Sequence, residues 1–271
     1  LGGISDKFGI RILLDAVINH TGPVTEQDPV WPSDWVRTGP QCSYDNYEHT
    51  TACTLVKNLP DILTESNENV DLPPQLVQKW KAEGRYEQEV KELDEFFART
   101  GHPRAPRFYI MKWLTDYITE FGIDGYRVDT VKHTEEDVWQ DFKSVCDAAF
   151  EEFKANNPEK VLDDNDFWMT GEFWGQGLNN SRLYGSGFDS LIDFTYQTEL
   201  AKKGMNCLAD MEDGYERYAK VLTQRDGKLL SYVSSHDTRL AYGSISKDLE
   251  QQKQLGSAFL LMPTAVQVFY G

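Results

Sequence analysis

Basic side chains are scarce in this sequence. Its 271 residues include 27 Lys and Arg against 44 Asp and Glu, which gives a formal net charge of −17 at pH 7. Binding to nucleic acid or to an anionic membrane requires a basic patch, and none is evident. We therefore expect no nucleic-acid partner, whereas a neutral polymer such as a polysaccharide meets no such objection.

Long apolar runs are also missing. A membrane-spanning helix needs about 20 consecutive apolar residues, and the best candidate, residues 258–262, stops at Pro263. We therefore expect no membrane span. The start of the chain has no basic-then-apolar signal pattern, which says nothing about export if the chain begins inside a domain. The acidic composition favours a secreted or periplasmic protein.

Cysteine is infrequent, and none of the four cysteines has C-x-x-C spacing, so a redox motif is not expected. Cys42 and Cys53 bracket a short polar loop, and we predict a disulfide there that stabilises the fold by ~3 kcal/mol. Cys146 lies on the apolar face of a predicted helix and is expected to be a buried thiol. Pairing of Cys146 with Cys207, on a later helix, is not expected.

What the sequence does contain is an alternation of strands and helices. Apolar runs predict strands at residues 10–17, 125–128, 167–170, 190–194, 229–233 and 264–270, with helices between them at about 107–120 and from 135 to about 156. Thr134 is the predicted cap of the second of these helices. This order indicates a parallel α/β sheet. Six strands suit either an open doubly wound sheet or, as we favour, a (β/α)8 barrel that lacks two strands.

The long stretch after the first strand differs from the rest. Residues 22–106 contain Pro, Asn, Trp and clustered charges, with a solvated helix predicted at 83–99. We interpret this stretch as an inserted domain, and residues 1–21 and 107–271 as the partial barrel.

Three carboxylates, Asp129, Glu172 and Asp237, follow predicted strands directly. Residues at the carboxyl ends of barrel strands converge on one face, and paired carboxyls carry out glycoside hydrolysis. A single strand-end Asp is more often a cap or turn residue, and a single His is more often structural. Three of the five histidines, however, lie in the same motifs as the acids.

Taken together, four segments resemble the conserved regions of the α-amylase family of glycoside hydrolases, in the same order. They are Asp15–His20, Gly125–His133, Gly171–Trp174 and His236-Asp237, and Leu59-Pro60-Asp61 resembles a fifth region. Residues 164–175 and 232–240 look most like the bacterial periplasmic branch. The resemblance implies a (β/α)8 TIM barrel running from its third to its eighth strand, with the inserted domain B after the third strand. It also implies that two strands and any export signal precede Leu1, that a C-terminal domain is missing, and that this piece alone would be inactive and poorly soluble.

The resemblance assigns roles to individual residues. Asp129 would be the nucleophile, Glu172 the general acid and base, and Asp237 the carboxylate that holds sugar hydroxyls. The charge of Arg127 favours an ionised Asp129, and the aromatic residues around Glu172 favour a carboxyl that keeps its proton. Asp15 would orient its neighbours. The implied substrate-binding residues are His20, Arg127, Lys132, His133, Trp174 and His236.

Calcium is the implied cofactor, because hard cations take oxygen ligands. Asn19, Asp61 and the backbone carbonyl of His133 would bind it where the insertion meets the barrel. An ordinary Asn turn and Pro-Asp turn are the alternative.

The expected function is retaining endo-hydrolysis of α-1,4-glucosidic bonds in starch, glycogen or maltodextrins by a monomer. An α-glucosidase or glucanotransferase of the same family is the alternative, although Lys132-His133 and Leu59-Pro60-Asp61 favour an amylase. A non-catalytic, transporter-associated relative is a third possibility, but such proteins lose the acids and carry a membrane span.

Overall fold

The computed structural model describes residues 8–22, 25, 27–56, 58–224, 228–238 and 247–269. The backbone divides into two compact units, Leu1–Trp168 and Met169–Gly271. Residues of both the predicted barrel and the predicted insertion lie in the first unit. The division into a barrel (residues 1–21 and 107–271) and an inserted domain (residues 22–106) therefore stays a prediction.

The first unit contains two pairs of strands. β1 (Leu13–Ala16) runs parallel to β4 (Gly125–Val128), with Leu13 opposite Gly125 and Ala16 opposite Val128. β2 (Val36–Arg37) and β3 (Asp61–Ile62) form a short antiparallel pair. Both strands of the parallel pair were predicted, although β1 is shorter than the apolar run around it.

In the described part of this unit, α-helices include α1 (Tyr47–Thr51), α2 (Pro74–Ala82), α3 (Tyr86–Thr100), α4 (Pro106–Phe121) and α5 (Glu136–Asn156). The helix predicted at 83–99 is observed as α3, but it begins at Tyr86, so its predicted start is wrong. Gly84 adopts the left-handed conformation, with φ of +71°, which ends α2 and separates it from α3, since helical residues require negative φ.

The predicted cap of α5 is also wrong. The cap position is Glu135, and no side chain accepts a capping hydrogen bond there. The Thr134 hydroxyl instead donates to Asn19 Oδ1 at 3.4 Å. The apolar face on which Cys146 was predicted to lie is confirmed. The residues Val138, Phe142, Val145, Cys146, Ala149 and Phe153 are all buried.

The second unit contains parallel strands in chain order. They are β5 (Trp168–Gly171), β6 (Ser190–Asp193), β7 (Lys228–Tyr232) and β8 (Ala265–Gln267). Each pairs with the next, with Thr170 opposite Ser190, Leu191 opposite Leu229 and Ser231 opposite Val266. A doubly wound sheet reverses its strand order at a switch point, and the order within this unit runs in one direction, as in a barrel.

Helices α6 (Ala201–Asn206), α7 (Glu212–Leu222) and α8 (Leu249–Leu260) belong to the second unit. One of its core clusters includes Tyr196, Leu200, Tyr218, Leu229 and Phe259. Among the helices of the described ranges, none is long and apolar enough to cross a membrane.

The cysteine predictions are confirmed. Cys42 and Cys53 form a disulfide with a Cα–Cα distance of 5.8 Å. Cys146 is a buried free thiol and Cys207 an exposed one.

Candidate active site

The pairing of β1 with β4 places two carboxylates on one guanidinium group. Asp15 lies opposite Arg127 in the strand register. Arg127 Nη1 donates to Asp129 Oδ1 at 2.6 Å and to Asp15 Oδ1 at 3.0 Å. Because Arg is always charged in proteins, its guanidinium is a permanent donor that holds the Asp129 carboxylate in one orientation.

The backbone turns sharply just after Asp129. The Asp129 N–H donates to the Ala16 carbonyl at 2.9 Å, which continues the ladder with β1. Thr130 then adopts a φ of +49°, a conformation that a β-branched residue avoids. Such strain clusters at functional sites. Here Thr130 leads directly into a 3-10 helix, Val131–His133. This helix contains Lys132 and His133, two of the predicted substrate-binding residues.

His133 is fixed by the disulfide loop between Cys42 and Cys53. Its Nδ1 lies 3.0 Å from the Thr50 carbonyl oxygen, and the Tyr44 ring meets its edge at 4.8 Å between centroids. Since a carbonyl only accepts, Nδ1 carries the proton and Nε2 is left as an acceptor. Burial lowers the pKa of His133 to about 4, so the ring is neutral near pH 7.

His20 lies beside the same group of residues. Burial lowers its pKa, while the negative charge of Asp129 acts in the opposite direction. His20 also forms a backbone bridge with Asp61. It therefore joins the chain after β1 to the inserted segment and lies within electrostatic range of the predicted nucleophile.

Two of the predicted calcium ligands, Asn19 and Asp61, are in contact. Asn19 Nδ2 donates to Asp61 Oδ1 at 3.0 Å, and both residues are 1% exposed. Burial raises the pKa of Asp61 to about 7, against the charge of Arg37, and Glu65 and Glu135 raise it further. A divalent cation would offset the cost of burying this carboxylate, so the two oxygen donors fit calcium.

The electrostatic surroundings of Asp61 include a residue that the sequence did not suggest. Arg37 Nε lies 3.3 Å from Asp61 Oδ2 and supplies positive charge there. In the described ranges, no group of three or more His, Cys, Asp and Glu side chains suits a metal ion. A calcium site here would therefore depend on amide and backbone oxygens as well as on Asp61.

Glu172 and Trp174 lie in the second unit, directly after β5. Glu172 is 5% exposed, so its side chain is largely shielded from water. Gly171 just before it has no room for a side chain, since a Cβ would lie 2.9 Å from Leu191 Cδ2. Trp174 is 49% exposed, and its ring centroid lies 5.0 Å from that of Phe194. An exposed indole face held in this way can stack on a sugar.

His236 and Asp237 follow β7 and face solvent. His236 Nε2 lies 3.1 Å from Asp237 Oδ2. The turn is closed by the Ser235 N–H, which donates to Thr238 Oγ1 at 2.8 Å. The half-exposed carboxylate of Asp237 can accept hydrogen bonds from sugar hydroxyls, and the imidazole of His236 beside it can donate to them.

The structure thus groups Asp15, Arg127, Asp129, His20 and His133 in the first unit. Sequence reasoning missed Tyr44, Thr50 and Arg37. Tyr44 and Thr50 lie between the predicted disulfide partners, which was the available signal. Asp193 shows that a strand end alone does not mark a catalytic acid. It is fully buried and accepts hydrogen bonds from Tyr218, Ser231 and the Thr195 N–H.

Comparison with known proteins agrees with this geometry. Residues 4–271 match the family model for the α-amylase catalytic domain. The chain is 40% identical over 247 residues to the periplasmic α-amylase of Escherichia coli K12, covering 91% of this chain and 33% of that protein. It is 24% identical over 272 residues to the maltogenic α-amylase of Bacillus acidopullulyticus, covering 99% and 39%.

The solved structure of an Anoxybacillus α-amylase superposes with a TM-score of 0.66 at 21% identity, covering 98% of this chain and 49% of that one. This likeness shows the fold, which is part of a (β/α)8 barrel. The fold places the chain among the proteins built on a (β/α)8 barrel. The chain belongs to the α-amylase family. It spans a third to two fifths of the length of the curated relatives named above.

Proposed function

We propose that the protein hydrolyses internal α-1,4-glucosidic bonds of starch, glycogen or maltodextrins with retention of configuration. The observation that carries this proposal is Asp129, held at the end of β4 by Arg127 at 2.6 Å. A nucleophile must be correctly oriented to attack, and this contact orients the Asp129 carboxylate. Membership of the α-amylase family supports an α-glucan as the substrate.

In the proposed reaction, the free oxygen of Asp129 attacks the anomeric carbon. The bond from that carbon to the glycosidic oxygen breaks, and Glu172 gives its proton to this departing oxygen, which leaves as a hydroxyl group. Glu172 then takes a proton from water, whose oxygen replaces Asp129 on the sugar, and both acids return to their starting forms. The guanidinium of Arg127 stays on Oδ1 throughout and leaves Oδ2 available to attack.

The neighbouring side chains would bind the sugar. Neutral His133 would present Nε2 as an acceptor, and His20 and Lys132 would donate to hydroxyls near the scissile bond. In the second unit, Trp174 would stack on a glucose ring. Asp237 and His236 would bind a pair of hydroxyls more tightly in the transition state than in the ground state.

We further propose that Asn19, Asp61 and the backbone carbonyl of His133 bind calcium. The ion would supply positive charge at the buried Asp61 and would join the inserted segment to the chain after β1. Arg37 beside Asp61 would set how tightly the cation binds, because the two positive charges repel each other. Removal of calcium should therefore loosen the segment that carries Asp61.

A maltogenic or exo-acting specificity is the second candidate, because the chain is similar to a maltogenic α-amylase over nearly its whole length. An α-glucosidase or glucanotransferase would use the same acids. A non-catalytic role is disfavoured, since all three acids are present. For location we propose the periplasm, on the 40% identity to a protein named as periplasmic.

The test uses the full-length protein with amylose. Endo-action should abolish iodine staining well before many reducing ends accumulate, and NMR should show α-anomeric products first. Asp129→Asn should lower kcat by at least about 10⁴-fold, as loss of a nucleophile does. Asp15→Asn is the matched control, because it touches the same guanidinium without reacting, and it should keep most of the activity. Products that appear first as β-anomers would contradict retention.

A further inference from the structure

A cavity of about 560 Å³ lies in the first unit, apart from the residues described above. Its walls come from α2, from the start of α3 and from the second half of α4. This volume is within the ~300–1,000 Å³ range of small-molecule sites in proteins.

The cavity wall is rich in aromatic rings. Trp80 and Trp113 meet edge to face, with centroids 6.1 Å apart, and Tyr117 and Phe121 lie one helical turn apart on α4 with centroids separated by 6.2 Å. Tyr117 is 47% exposed and Phe121 is 51% exposed. Two large rings thus stay open to solvent at the mouth, while two indoles form the floor.

Polar groups of both kinds surround these rings. The carboxylates Glu89, Asp116 and Glu120 line the cavity, together with the guanidinium of Arg85. Asp116 already accepts from Lys112 at 2.8 Å and Glu89 from Arg85, which leaves further lone pairs on each. These acids can therefore accept hydrogen bonds from a ligand.

One donor on the cavity lining lacks an acceptor. The indole Nε1–H of Trp113 is buried and has no hydrogen-bond partner among the residues that the structure describes. Buried polar groups are nearly always paired, and an indole can only donate. This N–H is closed to water, so an acceptor atom of a ligand would satisfy it once the neighbouring side chains shift to expose it.

These features separate two classes of ligand. An organic ammonium ion would suit aromatic rings and carboxylates, but it cannot accept from Trp113 and is repelled by Arg85. A sugar has C–H faces that stack on the rings, hydroxyl hydrogens for the carboxylates and hydroxyl oxygens for Trp113 and Arg85. We propose that this cavity is a non-catalytic binding site for α-linked gluco-oligosaccharides. The choice of α-glucan as ligand rests on the proposed function.

The cavity is distinct from the catalytic residues of the first unit. Its α4 residues end at Phe121, just before the amino end of β4, whereas Asp129 follows the carboxyl end. Four residues of strand separate Gly125 from Asp129, which is about 13 Å at ~3.3 Å per residue. A glucan held in the cavity would therefore anchor the polymer without occupying the position of the bond that reacts.

The experiment measures maltoheptaose binding by calorimetry to the full-length protein carrying Glu172→Gln. We expect two binding events. Trp113→Phe, which keeps a ring but removes the N–H, and Tyr117→Ala should each weaken one event at least tenfold. Phe8→Ala, an exposed aromatic elsewhere in the first unit, is the matched control and should leave both unchanged. Melting curves of all variants establish that each is folded.

A second arm measures the same substitutions with Glu172 intact. They should leave kcat/KM on a short chromogenic maltoside within twofold and lower adsorption to starch granules at least tenfold. Three results would overturn the inference. They are a single binding event in the protein that carries only Glu172→Gln, unchanged maltoheptaose binding in both cavity variants, and binding of choline in place of maltoheptaose. Lack of starch hydrolysis by the wild-type protein would instead refute the proposed function, and the Tyr117→Ala comparison would still report on the cavity.

Discussion

Removing the Cys42–Cys53 disulfide should weaken both stability and substrate binding. The loop that it closes spans a sequence separation of 11 and contains α1, which has only five residues. So short a helix is not stable by itself. The loop also supplies both observed contacts to His133, from Thr50 and Tyr44. The double substitution Cys42→Ser and Cys53→Ser therefore tests whether the loop positions that histidine.

The magnitude follows from the length of the loop. Chain-entropy arguments give ~3 kcal/mol for closing a loop of this size. Some of the loop should stay in place, because the Thr54 N–H donates to the Pro40 carbonyl at 2.9 Å and the Tyr44 hydroxyl to the Leu55 carbonyl at 2.6 Å. At about 2–4 °C per kcal/mol for a domain of this size, we expect the melting temperature to fall by up to about 12 °C.

The effect on substrate should appear mainly in KM. Loss of the Thr50 acceptor removes one neutral hydrogen bond, worth about 0.5–1.5 kcal/mol, so KM should rise about two- to tenfold. Calorimetry and steady-state kinetics on the full-length protein measure both quantities. Cys207→Ser, at an exposed free thiol, is the matched control and should change neither. A double variant with the wild-type melting temperature and KM would show that the loop does not position His133.

Three further predictions concern the proposed mechanism. A crystal structure should place the carboxyl groups of Asp129 and Glu172 about 5–5.5 Å apart, and a separation beyond about 6.5 Å would indicate inversion instead. Glu172→Gln should nearly abolish starch hydrolysis but act mildly on a maltosyl fluoride, whose leaving group needs no proton, and equal losses on both would exclude Glu172 as the acid. Chelation of calcium should lower the melting temperature, by the equivalent of about 2.7 kcal/mol if the ion was present at 100 times its Kd. Asp61→Asn should remove that response, and a wild-type protein indifferent to chelator would have no such site.

Where the sequence misled, the reason was local. The charged residues on both sides of Gly84 are typical of a helix, so the sequence predicted a helix that includes this glycine. The left-handed backbone of Gly84 instead separates α2 from α3. Thr134 is a residue type that often caps helices. Its hydroxyl, however, donates to Asn19, which is 115 residues away in the chain. In both cases a contact or a backbone angle outside the local pattern decided the outcome.

The strand and helix alternation, the motif order and the disulfide partners could be read from the sequence. These features are encoded locally, by apolar periodicity, by residue type at strand ends and by the short loop between Cys42 and Cys53. Three contacts became known from the folded chain alone: Arg127 bridges Asp15 and Asp129, Asn19 contacts Asp61, and Thr50 fixes the tautomer of His133. Asn19 and Asp61 are 42 residues apart in the chain, and Thr50 and His133 are 83 apart. Such contacts form because buried polar groups must find partners once the core has closed, and no local pattern specifies which partner is within reach.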